Sequence, residues 1–345
     1  MARVGVVLFN LGGPDSLQAV RPFLYNLFSD PAILRLPAVL RPVLAAFIAY
    51  RRAKVARGIY AQIGGRSPIL ELTQQQAEAL QRRLAARQDG PVKVVIAMRY
   101  WHPMSDVAAR ELAAFKPDQI VLVPLYPQFS TTTTASSLEA WAVAAANAGI
   151  SAPTRAICCY PDADGLIEAL AAGVTAGLRE VPHGQAVRVL FSAHGLPKRV
   201  IAEGDPYQAQ VEATAAATAA RLAREDLDWS ICYQSRVGPL EWIGPSVDAE
   251  LARAGHDRVA VVVAPIAFVS EHSETLVELD IEARAEAARL GVPIFVRIRT
   301  VSTAPAFIEG LAVMVERVVA DREGGVVSPG AAWRCGKGQC GCRQH

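Results

Sequence analysis

No apolar run in this sequence approaches the roughly 18 residues that a membrane-spanning helix requires. The longest in the N-terminal half, Val39–Tyr50, is broken by Arg41 and Pro42 and followed by Arg51, Arg52 and Lys54. It reads as a core helix, or as an exposed lip that accepts a greasy ligand or touches lipid headgroups. A charged segment followed by a long apolar stretch is also missing at the start. The expectation is therefore a cytoplasmic protein without a signal peptide. Net charge is nearly absent, because 35 Lys and Arg face 33 Asp and Glu, and no Lys/Arg-dense run stands out. Nucleic acid is excluded as an expected partner. The glycines of LGGP, Leu11–Pro14, lack the GxGxxG spacing, so no dinucleotide fingerprint is present.

What is there begins with size and apolar content. At 345 residues and 52% hydrophobic, the chain fills one large or two modest domains and cannot be disordered. Three apolar, strand-like runs occur twice in one order. The first set is Val4–Pro14, Val92–Pro103 and Ile120–Ser130; the second is Val187–Pro197, Leu227–Pro239 and Val259–Ser270. Each ends in Gly, Pro, Ser or a polar residue, and Ala/Leu/Glu/Arg-rich helical patterns lie between them. This predicts two doubly wound α/β lobes with parallel sheets, whose loop ends face a common cleft. The expected division is residues 1–155 for the first lobe, with an insertion at about 20–70, residues 156–325 for the second, and a tail from 326 to 345.

The segment Phe268–Glu282, FVSEHSETLVELDIE, follows the apolar run Val259–Phe268 and so opens at a strand's carboxyl end, where α/β sheets bind ligands. At about 100° per residue, Glu271, Glu274, Glu278 and Glu282 fall within about 80° of one another, with His272 beside them. Like charges at this spacing oppose a helix by roughly 0.2–0.5 kcal/mol per pair, so the stripe calls for a compensating partner such as a divalent cation. His194, in FSAHGLP, sits at another strand's carboxyl end, where an imidazole of ordinary pKa accepts protons at neutral pH. His183 and His256 read as surface-turn residues. Arg99, Tyr100, Trp101 and His102 set a cation among aromatic faces, a combination that suits a planar, carboxylate-bearing ligand; Tyr126, Trp242 and Tyr207 are similar in kind. Thr131–Ser137 offers hydroxyls and backbone N–H groups at a helix start.

Six cysteines are present, and three of them, Cys335, Cys340 and Cys342, lie in a Gly-spaced tail behind a Gly/Pro-bearing linker. Disulfides are disfavoured in a cytoplasmic chain, so these read as metal ligands. A fourth ligand would come from Cys158 or Cys159, and four thiolates suit either a [2Fe–2S] cluster or structural zinc.

The motifs LFNLGGP, MRYWHP, LYPQFSTTTTASSLE, FSAHGLP, YQSRVGPLEWIGP and FVSEHSETLVELDIE run in order from Leu8 to Glu282 and closely resemble the ferrochelatases. That resemblance implies two Rossmann-like lobes of the class II chelatase kind and a lyase that inserts Fe²⁺ into protoporphyrin IX in haem biosynthesis, with no organic cofactor. It implies that His194 accepts pyrrole protons or binds the entering metal, with Glu274 as its partner opposite. Glu271 and His272 match the acidic segment around Glu274, and Glu278 and Glu282 match a carboxylate ladder to solvent. Arg99, Tyr100, Tyr126, Tyr207 and Trp242 match pocket-lining positions. Arg51, Arg52 and Ser67 match the lip and the propionate-contacting region. The tail resembles that of members carrying a [2Fe–2S] cluster, here on Cys335, Cys340, Cys342 and Cys158, with Cys159 as the alternative. The spacing of the tail thiols departs from the animal pattern. Peripheral contact with the inner membrane and a homodimer are further expectations from the lip. The rivals are a metal or haem carrier without chemistry, and a chelatase for another metal or for coproporphyrin.

Overall fold

The computed structural model describes residues 2–236, 240–320 and the backbone of 325–327. Two wholly parallel sheets organise it. The first contains β1 (Val4–Asn10), β2 (Val92–Met98), β3 (Gln119–Pro124), β4 (Thr154–Ile157) and β9 (Gly325–Val327), in the order β2-β1-β3-β4-β9. The second contains β5 (Val187–His194), β6 (Asp228–Gln234), β7 (Ala260–Pro265) and β8 (Phe295–Arg297), in the order β6-β5-β7-β8. The first four strands of one sheet thus repeat the order of the other, as the duplicated runs predict. The helices are α1 (Val20–Ser29), α2 (Arg41–Ala61), α3 (Ile69–Ala85), α4 (Ser105–Phe115), α5 (Ser136–Asn147) and α6 (Asp164–Arg179). Then follow α7 (Lys198–Ala202), α8 (Tyr207–Arg221), α9 (Val247–Asp257), α10 (Arg284–Arg289) and α11 (Pro305–Ala320).

Strand β1 is buried on both faces, which is why it reads as an unbroken apolar run. Its alternate residues serve two layers: Val7 and Phe9 pack with Leu112 of α4 and Trp141 of α5, while Val4, Val6 and Leu8 join Leu80 and Leu84 of α3. The latter cluster continues through Val174 of α6 and Leu311 and Val315 of α11 to Val189 and Phe191 of β5. A single apolar layer therefore joins the lobes. The chain also returns on itself, because β9 lies parallel to β4 with Val327 opposite Ile157. Residues 325–327 accordingly add a last strand to the first sheet.

The insertion is helical. On α2 the residues turned inward ahead of the buried Tyr60 are small, Ala45, Ala49 and Ala53, so the helix packs closely on α1. Its other side leaves Val43, Phe47, Tyr50 and Val55 exposed, beside Val39 and Leu40. Residues 274–283 form a π-helix, with i→i+5 hydrogen bonding, where the sequence reading expects an α-helix.

Candidate active site

Because β5, β6 and β7 are parallel neighbours, their carboxyl ends share one edge. His194 is the last residue of β5, Gln234 ends β6, and the chain leaving β7 runs through Val269–Ser273 into the π-helix. His194 and Glu274 face each other there, with Nε2 to Oε2 at 3.7 Å and side chains 35% and 21% exposed. His272 Nε2 approaches the same carboxylate oxygen at 3.6 Å, from a buried ring. The Nδ1 of His194 contacts the carbonyl of Gly195, and the Nδ1 of His272 lies 3.1 Å from the carbonyl of Ser270. A carbonyl only accepts, so both Nδ1 atoms carry protons and both rings present Nε2 to Glu274. Burial opposes ionisation of Glu274, but its electrostatic interaction with the His194 imidazole and its pairing with His272 prevail and hold its carboxyl well below the usual range. Burial alone would lower His272; the Glu274 carboxylate outweighs it and raises the imidazole.

Glu278 lies one step along the π-helix. Ser235 Oγ donates to its Oε2 at 2.6 Å and Gln234 Nε2 at 3.1 Å, while the same Nε2 donates to the Glu274 carbonyl at 2.7 Å. Ser192 Oγ in turn donates to Gln234 Oε1 at 2.8 Å, which fixes the amide. Burial, reinforced by the Glu274 charge, pushes Glu278 up to about 7. Two carboxyls on one helix are thus driven apart, one held ionised and one poised near neutrality.

The expected four-glutamate stripe breaks at both ends. Glu282 is exposed. Glu271 precedes the π-helix and turns away, with Oε1 accepting from Arg297 Nη1 at 2.6 Å and the Thr300 N–H at 3.0 Å, and Oε2 from the Thr275 hydroxyl. Arg297, only 5% exposed, also pairs with Asp280. The compensating cation for this part of the stripe is a buried arginine supplied by β8. Among the described residues, no cluster of three His, Cys, Asp or Glu side chains is arranged to hold a metal ion. Of the expected metal-binding residues, His194, His272 and Glu274 come together at one carboxylate oxygen, and Glu278 follows on the same π-helix.

The other expected residues divide by burial. Trp242 is half-buried and pairs through its backbone with Pro197, placing its ring against the His194 loop; a Cβ on Gly195 would sit 3.3 Å from Cε3 and 3.0 Å from the Gln234 carbonyl oxygen, so a larger residue there would push on both. Tyr126 is half-buried against the α4/α5 layer, and burial raises its phenol far above the usual value. Arg99 is part-buried, but its Nη2 lies 2.7 Å from Asp30, a buried carboxylate that also accepts from Tyr100 Oη at 2.8 Å and from Ser136. Tyr100 and Tyr207 are core residues. Ser67 is buried too, set against Gly13 with its N–H donating to the Pro14 carbonyl at 2.8 Å. Arg51 and Arg52 are exposed on α2. Sequence reasoning missed Tyr60, whose ring at the end of α2 is buried beside Ser273, with burial raising its phenol to about 12.

Cys158 and Cys159 directly follow β4 and are buried; Gln210 Nε2 donates to Cys159 Sγ at 3.4 Å. Cys335, Cys340 and Cys342 lie outside the described residues.

Comparison with known proteins agrees with this geometry. The sequence profile of the ferrochelatase family matches residues 3–319. A ferrochelatase of Caulobacter vibrioides (strain NA1000 / CB15N) is 52% identical over 345 residues, covering 99% of this chain and 98% of that one. Those of Phenylobacterium zucineum (strain HLK1) and Hyphomonas neptunium (strain ATCC 15444) are 52% and 45% identical, each covering 99% of this chain and 98% and 95% of their own. Among solved structures, SirB from Bacillus subtilis with Fe³⁺ shares the fold, with a TM-score of 0.56 at 13% identity, covering 94% of this chain and 98% of that one.

Proposed function

The chain belongs to the ferrochelatase family and inserts Fe²⁺ into protoporphyrin to make haem, and we propose that His194 and Glu274 carry that chemistry between them. The observation behind this reading is Glu274 Oε2, which has imidazole Nε2 atoms at 3.7 and 3.6 Å and no hydrogen-bond partner within reach among the described residues. Such an atom suits a species in transit: a proton leaving or a cation arriving.

Insertion replaces two pyrrole N–H protons with one Fe²⁺, so two protons must leave for each iron that enters. His194, its Nδ1 proton committed to Gly195, has Nε2 available to take a proton from the ring. Glu274, held ionised, steadies the imidazolium that forms and can ligate Fe²⁺, a cation served by imidazole and carboxylate alike. Glu278, poised near neutral pH, passes protons toward exposed Glu282. Binding that bends the macrocycle costs roughly 1–5 kcal/mol, offset by remote contacts. Here those contacts are assigned to Trp242, Tyr126 and Arg99, with the lip cations Arg51 and Arg52 for the propionates. The test is anaerobic incubation with protoporphyrin IX and Fe²⁺, following porphyrin fluorescence and haem absorbance. Stoichiometric binding without turnover would instead indicate a carrier.

The finer assignments rest on placement. Parallel to β4, β9 ends with Val327 opposite Ile157, the residue before Cys158. Buried thiols at that point fit a [2Fe–2S] centre held by Cys158, Cys335, Cys340 and Cys342, with Cys159 turned to Gln210. When bound, such a centre supplies a one-electron couple. Visible absorption and the EPR signal of the reduced protein should both disappear in Cys335→Ser.

No helix among the described residues is long and apolar enough to cross a membrane. The lip nevertheless exposes Val39 (84%), Val43, Phe47 and Tyr50 next to Arg51, Arg52 and Lys54. Apolar side chains rimmed by cations fit peripheral contact with the anionic inner face of a bilayer, which places a cytoplasmic enzyme at its lipophilic substrate. Co-sedimentation with anionic vesicles, lost in Phe47→Asp, supports this. A dimer in solution that buries the same face would replace it.

A further inference from the structure

Gln76 is a fully buried polar residue on α3, a helix that packs on β2 and α11 and carries none of the site residues assigned above. Its Nε2 donates to the carbonyls of Val269 at 3.0 Å and Ser302 at 3.1 Å, and its Oε1 accepts from Ser270 Oγ at 3.0 Å. Both amide hydrogens and the amide oxygen are in use, and reversing the amide would set its oxygen against two carbonyls. Val269 and Ser270 begin the turn that delivers Glu271, His272 and Glu274. Ser302, from the loop after β8, holds a left-handed backbone at φ 42°, and its N–H donates to the Val269 carbonyl at 2.9 Å. That conformation costs a non-glycine residue energy and persists only where surrounding bonds dictate it. One carboxamide from a distant helix thus fixes the turn and the strained loop behind it.

The connection continues to the imidazole. Ser270 uses its hydroxyl on Gln76 and its carbonyl on His272 Nδ1, 3.1 Å away, and this second bond aims His272 Nε2 at Glu274. Resting on the assignment of the His194, Glu274 and His272 cluster to iron insertion, we propose that Gln76 is a positioning residue for the reaction. It touches no substrate and acts through Ser270 on the direction of the His272 ring.

A residue that merely ties two lobes together would give a different result, and three variants separate the cases. Gln76→Met keeps the volume and removes the hydrogen bonds; Ser270→Ala cuts only the link to the hydroxyl. Leu84→Ala opens a cavity in the same helix without touching the turn. Misplacement of a reacting group by a fraction of an ångström lowers turnover on the order of tenfold. The expected result, each protein assayed at the same interval below its own Tm, is that kcat falls about tenfold in Gln76→Met and Ser270→Ala. KM for protoporphyrin stays within about twofold, and Leu84→Ala retains kcat. In ¹⁵N-labelled protein, the single-tautomer signal of the His272 ring should be lost in the first two variants only. Full kcat in Gln76→Met and Ser270→Ala beside an impaired His272→Ala would overturn the inference alone. Full kcat in His272→Ala as well would overturn it together with the assignment on which it rests.

Discussion

His194 Nε2 and Glu274 Oε2 stand 3.7 Å apart, too far for a hydrogen bond and close enough for a strong charge interaction. The His194 ring is tied by its Nδ1 contact with Gly195, and the backbone of Glu274 by the Gln234 amide that donates to its carbonyl. A base and an anion kept just apart can admit an ion between them without first breaking a bond.

Removing the base should therefore abolish chemistry before it abolishes binding. His194→Ala is expected to lower kcat for Fe²⁺ insertion by roughly 10²–10⁴, the range a positioned proton acceptor contributes. Protoporphyrin binding, read by fluorescence quenching, should change little. Glu274→Gln should cost turnover comparably, because it removes the charge that stabilises the imidazolium. Near-normal turnover in His194→Ala would refute the base assignment.

Glu278 gives a pH prediction whose sign is opposite to that of Glu274. Its folded pKa is raised from 4.5 to about 7, so the folded chain holds a proton that the unfolded chain has lost within that window. Stability from this group is complete below about 4.5 and declines as pH rises through about 7. Glu274 is lowered, so its contribution is present above 4.5 and fades only in acid, outside the same window. Glu278→Gln should consequently be more stable than the parent at pH 8, on the order of 1–3 kcal/mol, with the difference vanishing below pH 4.5. Urea unfolding at a series of pH values measures this. Glu278→Gln should also slow turnover less than Glu274→Gln; equal losses would remove Glu278 from the exit route.

Arg297 tests what holds the π-helix in place. Its guanidinium meets Glu271 at 2.6 Å and also Asp280, one residue before the π-helix and one within it. Arg297→Leu leaves the largely desolvated Glu271 without a cation and Asp280 with Arg284 alone at 3.4 Å, a change worth about 3–5 kcal/mol. Arg297→Lys, which keeps the charge but not the two-pronged donor geometry, should recover part of the loss in denaturant melts.

What the sequence makes legible follows from the range of each interaction. The runs that became β1, β2, β3, β5, β6 and β7 announce themselves because buried parallel strands are continuously apolar, and the repeat made their order readable. Strands β4 and β8 are only four and three residues long, and β9 comes from a segment that reads as a linker; none has an apolar run to mark it. His194 and Glu274 are recognisable as strand-end and helix-start residues. The partner of Glu271 lies 26 residues away on β8, and those of Gln76 lie 193 to 226 residues away, so no local pattern records either. The same limit made Glu271 look like one rung of an even stripe, because helical spacing shows which residues are near one another and is silent on which cation faces them.

Asp30 and Arg99 supply the sharpest contrast with the sequence reading, which set Arg99 among groups that read a carboxylate ligand. Asp30 is a buried carboxylate with Arg99 Nη2 at 2.7 Å, Tyr100 Oη at 2.8 Å and the Ser136 hydroxyl all on its Oδ2. Arg99 Nε also donates to Ser136 Oγ at 2.6 Å, closing a ring of contacts among α1, the end of β2 and the start of α5. Breaking the pair from one side leaves the other charge unpaired, so Asp30→Ala and Arg99→Ala should each destabilise by about 3–5 kcal/mol. The double variant should be more stable than the two losses added together predict, with a coupling of about 1–3 kcal/mol. Porphyrin selectivity tests the remaining face of Arg99. If its charge is spent on Asp30, Arg99→Ala will weaken protoporphyrin and its dimethyl ester by the same factor. If it reads a propionate, only the free acid will lose affinity.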